Sequence, residues 1–198
     1  MESPWATLAI LLAMAAAIPA RAEVTLVMIR HGEKPDQGMG QLNCQGLNRA
    51  LALPDVLVAK FGKPEVLFAP DPGVAAEDFG RSYNYIRPLA TIEPTAIRFG
   101  LPVNTKWGLG NVAPLEDELL NPAHAGQVLV VAWEHNLVVR IARDIVARRG
   151  ADPKEVPDWR REDFDSIYVL SIPERGKPSF RIEQEGLNGQ STSCPGQK

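Results

Sequence analysis

The sequence predicts a three-layer α/β domain on a mainly parallel sheet, and three observations carry that prediction. Short apolar runs bounded by turn signals, Val24–Ile29, Glu65–Ala69 and Gln127–Ala132, are of buried-strand type. They alternate with longer stretches of helical spacing, above all Asn43–Phe61 and Leu137–Arg149, as in a sheet covered by helices. The chain of 198 residues suits one domain, and no linker divides it.

In chain order, the first 22 residues read as a leader outside the fold. Leu8–Ile18 is an unbroken apolar stretch and Ala20-Arg21-Ala22 supplies a small-x-small cleavage pattern, although Glu2 stands where a base is usual. Eleven apolar residues fall short of the roughly 20 that span a bilayer. The expectation is a signal peptide over 1–22 cleaved after Ala22, a domain over 23–198, a secreted or periplasmic location and no stable membrane span after cleavage.

The run Val24–Ile29 forms the first strand and delivers Arg30-His31-Gly32-Glu33 to its carboxyl end, where open α/β sheets bind ligands. After a loop over Lys34–Gly40, Asn43 can cap the helix that follows, and Pro54 is expected to break or restart it. Glu65–Ala69 reads as the second strand and Pro70–Gly80 as a loop. Helix signals return over Tyr83–Thr91, and a second piece opens at Pro94. Leu101–Thr105 is an edge-strand candidate, and Leu115–Leu120 a short helix stopped by Pro122. The strand Gln127–Ala132 runs through Trp133-Glu134-His135-Asn136 into helix Leu137–Arg149, whose last turn is basic, as the helix dipole prefers. Asp165–Ile172 and Ser179–Glu185 read as strands joined by a turn.

A net charge of −3 and a pI near 5.7 argue against a nucleic-acid partner, which calls for a basic surface. They leave room for a small anion held by a few local arginines. Export gives the two cysteines a meaning: Cys44 and Cys194 are expected to pair in an oxidising compartment, with two free thiols as the alternative.

Two predicted strands end in histidine, at Arg30-His31 and at Glu134-His135. On a parallel sheet those ends share one edge, so the imidazoles can converge. Arg87 is a third contributor, with Arg81 open as the alternative. Two guanidinium forks match the oxygens of a phosphoryl dianion, and a fixed neutral imidazole can attack phosphorus in line, with no metal or cofactor required. His124 reads as a surface residue, Glu116-Asp117-Glu118 as a solvated face, and Trp107, Trp133 and Trp159 as packing residues, Trp133 being placed to line the pocket. The histidines lack the close spacing of a zinc site.

With RHGEKP at a first-strand terminus, RPLAT followed by Thr95-Ala96, and a late strand ending in His135, the chain resembles the histidine phosphatase superfamily in its phosphoglycerate mutase-like branch. The resemblance spans Val24 to Ile172 and implies an α/β/α sandwich. It also implies that His31 is the phosphorylated nucleophile, that Arg30, Arg87 and His135 bind the phosphoryl group, and that water hydrolyses the phosphohistidine. Such members carry a general-acid glutamate after the third strand. Val103–Gly108 holds none, leaving Glu33, Glu116 and Glu134 as candidates and favouring good leaving groups. The implied function is an exported, metal-independent phosphatase acting on a small phosphorylated substrate. The alternatives are an inactive phospho-ligand-binding module or a phosphate-transferring mutase.

Overall fold

The computed structural model describes residues 23–196, so the expected leader over 1–22 lies outside the described residues. Strand β1 (Val24–Arg30) sets the layering. Its side chains alternate, Leu26 and Met28 entering one core while Val27 and Ile29 enter a second. Burial on both faces explains why the run is apolar throughout rather than alternating with polar residues.

Helix α1 (Cys44–Phe61) follows, then β2 (Val66–Phe68), a hairpin of β3 (Ala75–Asp78) and β4 (Arg81–Asn84), and α2 (Arg87–Phe99). Next come β5 (Val103–Asn104), α3 (Val112–Leu119), β6 (Val128–Trp133), α4 (His135–Arg148), β7 (Ser166–Ile172) and β8 (Ser179–Gln184). Six strands form the main sheet in the order β5-β2-β6-β1-β7-β8. The first four are parallel, β7 is antiparallel to β1, and β8 is antiparallel to β7.

Leu53 and Leu57 of α1 and Ile92 and Ala96 of α2 close one face over Val27, Ile29, Val130 and Ala132. Leu115 of α3 with Val138, Ile141 and Ile145 of α4 close the other over Leu26, Met28, Leu129 and Val131. The expected three-layer α/β architecture is therefore the observed one.

Several local expectations change. Pro54 and Pro94 lie inside continuous helices instead of breaking them. Each missing N–H costs one rung, but Leu53 and Leu57, and Ile92 and Ala96, anchor the same face before and after each proline. Helix α2 begins at Arg87, and Tyr83 belongs to a hairpin within and beyond the expected loop Pro70–Gly80. The hairpin register pairs Asp78 with Arg81 across a two-residue turn, Phe79-Gly80. Neither strand of this hairpin carries an apolar run, so hydrophobic periodicity offers no signal for it.

His124 is buried rather than on the surface: its ring meets Glu118 Oε1 at 2.9 Å and Gln127 Oε1 at 2.8 Å. Glu116 is also buried, against α4, and Glu118 is half-buried on His124, so only Asp117 fits the expected solvated face. Cys44 and Cys194 form a disulfide, with Cα atoms 4.6 Å apart, and it ties the tail to the first residue of α1. No helix among the described residues is long and apolar enough to cross a membrane.

Candidate functional site

Strand register brings the two histidines together. β1 and β6 are parallel neighbours with Arg30 opposite Trp133, and the His31 amide donates to the Trp133 carbonyl at 3.1 Å. The two chain segments therefore leave the sheet side by side, one as Arg30-His31-Gly32 and the other as Glu134-His135 opening α4. Glu134 caps α4, its carboxylate accepting from the Leu137 amide at 3.1 Å. His135 is the first helical residue, so the positive end of the α4 dipole lies at the site.

His31 is buried, and its Nδ1 is 2.8 Å from the Gly32 carbonyl. A carbonyl only accepts, so Nδ1 carries the proton and Nε2 keeps a lone pair. Burial, reinforced by the charge of Arg87 and then by Arg30 and His135, holds the imidazole well below its ordinary value, against the Gly32 hydrogen bond. The ring is thus neutral, fixed in tautomer and nucleophilic at Nε2.

The turn that sets this geometry is held from three sides. The Gly32 amide donates to Thr91 Oγ1 at 2.9 Å, and that hydroxyl donates to the Arg87 carbonyl at 2.8 Å, linking the turn to α2. A Cβ on Gly32 would sit 2.9 Å from the Gly46 carbonyl oxygen, so this approach of turn to α1 requires glycine. Behind the turn, fully buried Arg49 donates to Glu33 at 2.8 Å, Asp165 at 3.2 Å and Glu185 at 2.5 Å. Burial drives Glu185 up to about 8, despite Arg49, while burial of Arg49 itself is outweighed by Glu33, whose two oxygens both accept from the guanidinium and keep it charged.

Each site arginine is anchored at one nitrogen and open along one edge. Arg30 Nη1 donates to the carbonyls of Arg161 and, at 3.0 Å, Asp163, and the guanidinium stacks 3.9 Å over the Phe164 ring. Burial lowers Arg30 to about 10, with Glu134 opposing, so it stays cationic at neutral pH. Arg87 Nη1 pairs with Asp78 Oδ2, and its guanidinium lies 4.4 Å over Tyr85. Nε of both arginines is buried without a partner, and neither Nη2 makes a hydrogen bond within the described residues. Leaving buried donors unpaired costs about 1–3 kcal/mol each, and two oxygens of one tetrahedral anion would satisfy each open Nε–Nη2 edge.

Arg87 thus faces the site at the first residue of α2, and Arg81 is exposed on β4, which resolves the alternative in favour of Arg87. Three residues that sequence reading missed shape the pocket. Tyr85 and Phe164 flank the His31 ring with centroids at 6.0 and 6.2 Å, and each is covered by one of the arginines. Asp78 is the third. It also accepts from Lys34 at 3.4 Å and from the Gly40 amide at 3.3 Å, and these contacts with Arg87 keep its carboxyl below the usual range against the effect of burial. Trp133 is fully buried, its indole N–H donating to Leu109 at 2.9 Å, so it packs and does not line the pocket.

None of the three acid candidates is a free proton donor here. Glu33 spends its carboxylate on Arg49. Glu116 lies beside Arg148, 13 residues along α4 from His135 and so roughly 20 Å away along the helix axis. Glu134 lies against His135 Nδ1 and caps α4, and these contacts lower its pKa against the effect of burial. Among the described residues no three His, Cys, Asp or Glu side chains cluster to hold a metal ion.

No family model and no curated protein sequence matches the chain. Solved structures do. Phosphoglycerate mutase from Plasmodium falciparum aligns over 83% of this chain and 92% of its own, with a TM-score of 0.56 and 13% identity. A mycobacterial glucosyl-3-phosphoglycerate phosphatase, solved with inorganic phosphate, covers 83% and 96% at a TM-score of 0.53 and 19% identity. A phosphoserine phosphatase of Entamoeba histolytica, solved with phosphoserine, covers 83% and 98% at 0.52 and 11%. The chain has the phosphoglycerate mutase-like fold, an α/β sandwich shared by mutases and phosphatases.

Proposed function

We propose that this protein is a phosphatase of the histidine phosphatase superfamily that works through a phosphohistidine on His31. The observation that carries the reading is the neutral His31 Nε2 set beside two guanidiniums whose Nε–Nη2 edges lack partners. The phosphatases named above share the fold, which supports the reading at that level.

In the proposed reaction the edges of Arg30 and Arg87 hold the phosphoryl oxygens, and His135, at the α4 N-terminus, donates to another. Nε2 of His31 attacks phosphorus as the ester oxygen leaves with its electron pair. Water then attacks the phosphohistidine and returns Nε2 to its starting state. Charge neutralisation comes from the arginines and helix dipoles, so the proposal invokes no metal. Hydrolysis is favoured over transfer because nothing marks a second anion site. The apolar run Leu8–Ile18, with the small-x-small pattern after it, and the Cys44–Cys194 bridge support an exported location.

The test is rapid quench with p-nitrophenyl phosphate. Acid-labile phosphate on His31, absent from His31→Ala, is expected together with turnover resistant to chelators. Phosphate binding without turnover above the His31→Ala background, across pH and a panel of phosphoesters, would replace the enzyme with a binding module.

A further inference from the structure

We infer that the depression beside the phosphoryl pocket is a leaving-group subsite for aryl phosphates, an inference that rests on the phosphatase reading. The depression measures about 460 Å³ and shares Arg30 with the pocket. Its walls carry two phenylalanines, Phe79 and Phe164, and two further cations, Lys34 and Arg161.

Phe79 is the unusual member. It occupies the first position of the two-residue β3–β4 turn with φ 53°, followed by Gly80 at 72°. Two consecutive positive φ values define a type I′ turn, in which asparagine, aspartate or glycine is preferred. A bulky aromatic there is a genuine outlier. The ring gains no core packing in exchange, since Phe79 is 58% exposed. Instead Lys34 Nζ sits 4.2 Å over it, and Lys34 also holds Asp78, the partner of Arg87. A strained, exposed ring fixed beside a ligand pocket points to a contact made with the ligand.

Charge narrows the ligand. Arg30, Lys34 and Arg161 are opposed in the depression by Asp36 and Glu162, a balance of three cations against two carboxylates. Arg30 is already engaged by the phosphoryl group. What remains, Lys34 and Arg161 against Asp36 and Glu162, is neutral in sum, which does not suit a second phosphate dianion but leaves Lys34 as a point contact for a single developing oxyanion. The commitments of Glu33, Glu116 and Glu134 require the same thing, because without a neutral carboxylic acid the leaving oxygen must depart unprotonated. A phenol, with a pKa of about 10, does so far more readily than an alcohol, whose acidity is close to that of water at about 15.7. In the step, the His31 Nε2–P bond forms, the aryl O–P bond breaks, and the phenolate departs past Lys34 to take its proton from water. Hydrolysis of the phosphohistidine then yields phosphate and restores His31.

The experiment compares kcat/KM for phenyl phosphate and a phosphotyrosyl peptide with that for glycerol phosphate and for acetyl phosphate, which has a good leaving group but no ring. Wild type is expected to favour the aryl esters over glycerol phosphate by at least about 100-fold, the order of an absent general acid. Phe79→Asn suits the turn and is expected to fold at least as well, while lowering the aryl-to-acetyl phosphate ratio by roughly 3- to 10-fold, mainly through KM. Preference for the peptide over phenyl phosphate would assign the subsite to protein phosphotyrosine, and the reverse to small aryl esters. Hydrolysis of acetyl phosphate with aryl and alkyl esters turned over alike, or an unchanged ratio in Phe79→Asn, overturns the subsite alone. Absence of turnover on every compound overturns the phosphatase reading and the subsite with it.

Discussion

Asp78 and Arg87 form a buried ion pair between the β3–β4 hairpin and the first residue of α2. A Cβ on Gly38 would sit 2.2 Å from the Asp78 carboxylate, so the loop after β1 closes over the pair only because that position, with φ 76°, is glycine. Through Nη1 the pair fixes the guanidinium while its Nε–Nη2 edge stays open. Asp78→Asn removes the countercharge from a buried arginine, which costs about 3 kcal/mol of stability. An anion in the pocket restores that charge balance. Inorganic phosphate is therefore expected to raise Tm more in Asp78→Asn than in wild type, and equal rises would show that Asp78 does not act through Arg87.

Arg87→Lys keeps the charge but loses the planar two-nitrogen edge. A loss of roughly 10- to 100-fold in kcat/KM toward p-nitrophenyl phosphate is expected, the worth of one charged hydrogen bond. Arg81→Lys, on the exposed face of the hairpin, serves as the control and should leave steady-state kinetics as they are.

Burial and the neighbouring guanidiniums of Arg87 and Arg30 keep His31 uncharged. In the free protein its ring is expected to remain the Nδ1–H tautomer from pH 8 down through the ordinary imidazole range, as read from ¹⁵N chemical shifts. A His31 titration near 6.5 would contradict the buried geometry.

Glu116 is pushed up to about 7 by burial, with Asp144 adding to the shift, and one carboxylate oxygen has no partner. A carboxyl whose folded pKa lies above its unfolded value contributes stability that is complete below the unfolded value and is lost as pH rises through the folded one. Glu185, at about 8, acts with the same sign. The contribution of these two carboxyls is therefore expected to decline between about pH 5 and pH 8, opposed through the imidazole range by His31, whose suppressed protonation adds stability as pH rises. Glu116→Gln should flatten that decline and leave phosphatase activity intact, whereas a proton donor at this position would lose activity on weakly acidic leaving groups.

The Cys44–Cys194 bridge closes a sequence separation of 150 residues, for which chain entropy gives about 5 kcal/mol. The tail it holds also bonds to α1, with Asn48 Nδ2 donating to the Ser191 and Ser193 carbonyls at 2.8 Å each. Thiol titration of unreduced protein should find no free thiol, and Cys44→Ser should lower Tm by roughly 10–20 °C.

The central strands were legible because burial on both faces leaves an unbroken apolar run, and β1 and β6 each announce their ends with Arg-His or Glu-His. Parallel pairing of those two strands was enough to bring His31 and His135 to one edge, and the cap at Asn43 was readable from its place before a helical run. The hairpin was not, because Ala75–Asn84 has no apolar periodicity and is held by the contacts of Asp78 with Lys34, Gly40 and Arg87.

Sequence alone determined the layered α/β class of the fold and which charged residues end β1 and β6, since hydrophobic pattern and strand-end residues are local properties. Tertiary structure decided which carboxylates were available. Glu33, Glu116 and Glu134 look alike along the chain, and only packing commits the first to Arg49, carries the second to the far end of α4 and turns the third into a helix cap beside His135. The same packing brings Asp78, Tyr85 and Phe164 to the arginines, because the energy of a buried charge depends on groups that lie far from it along the chain.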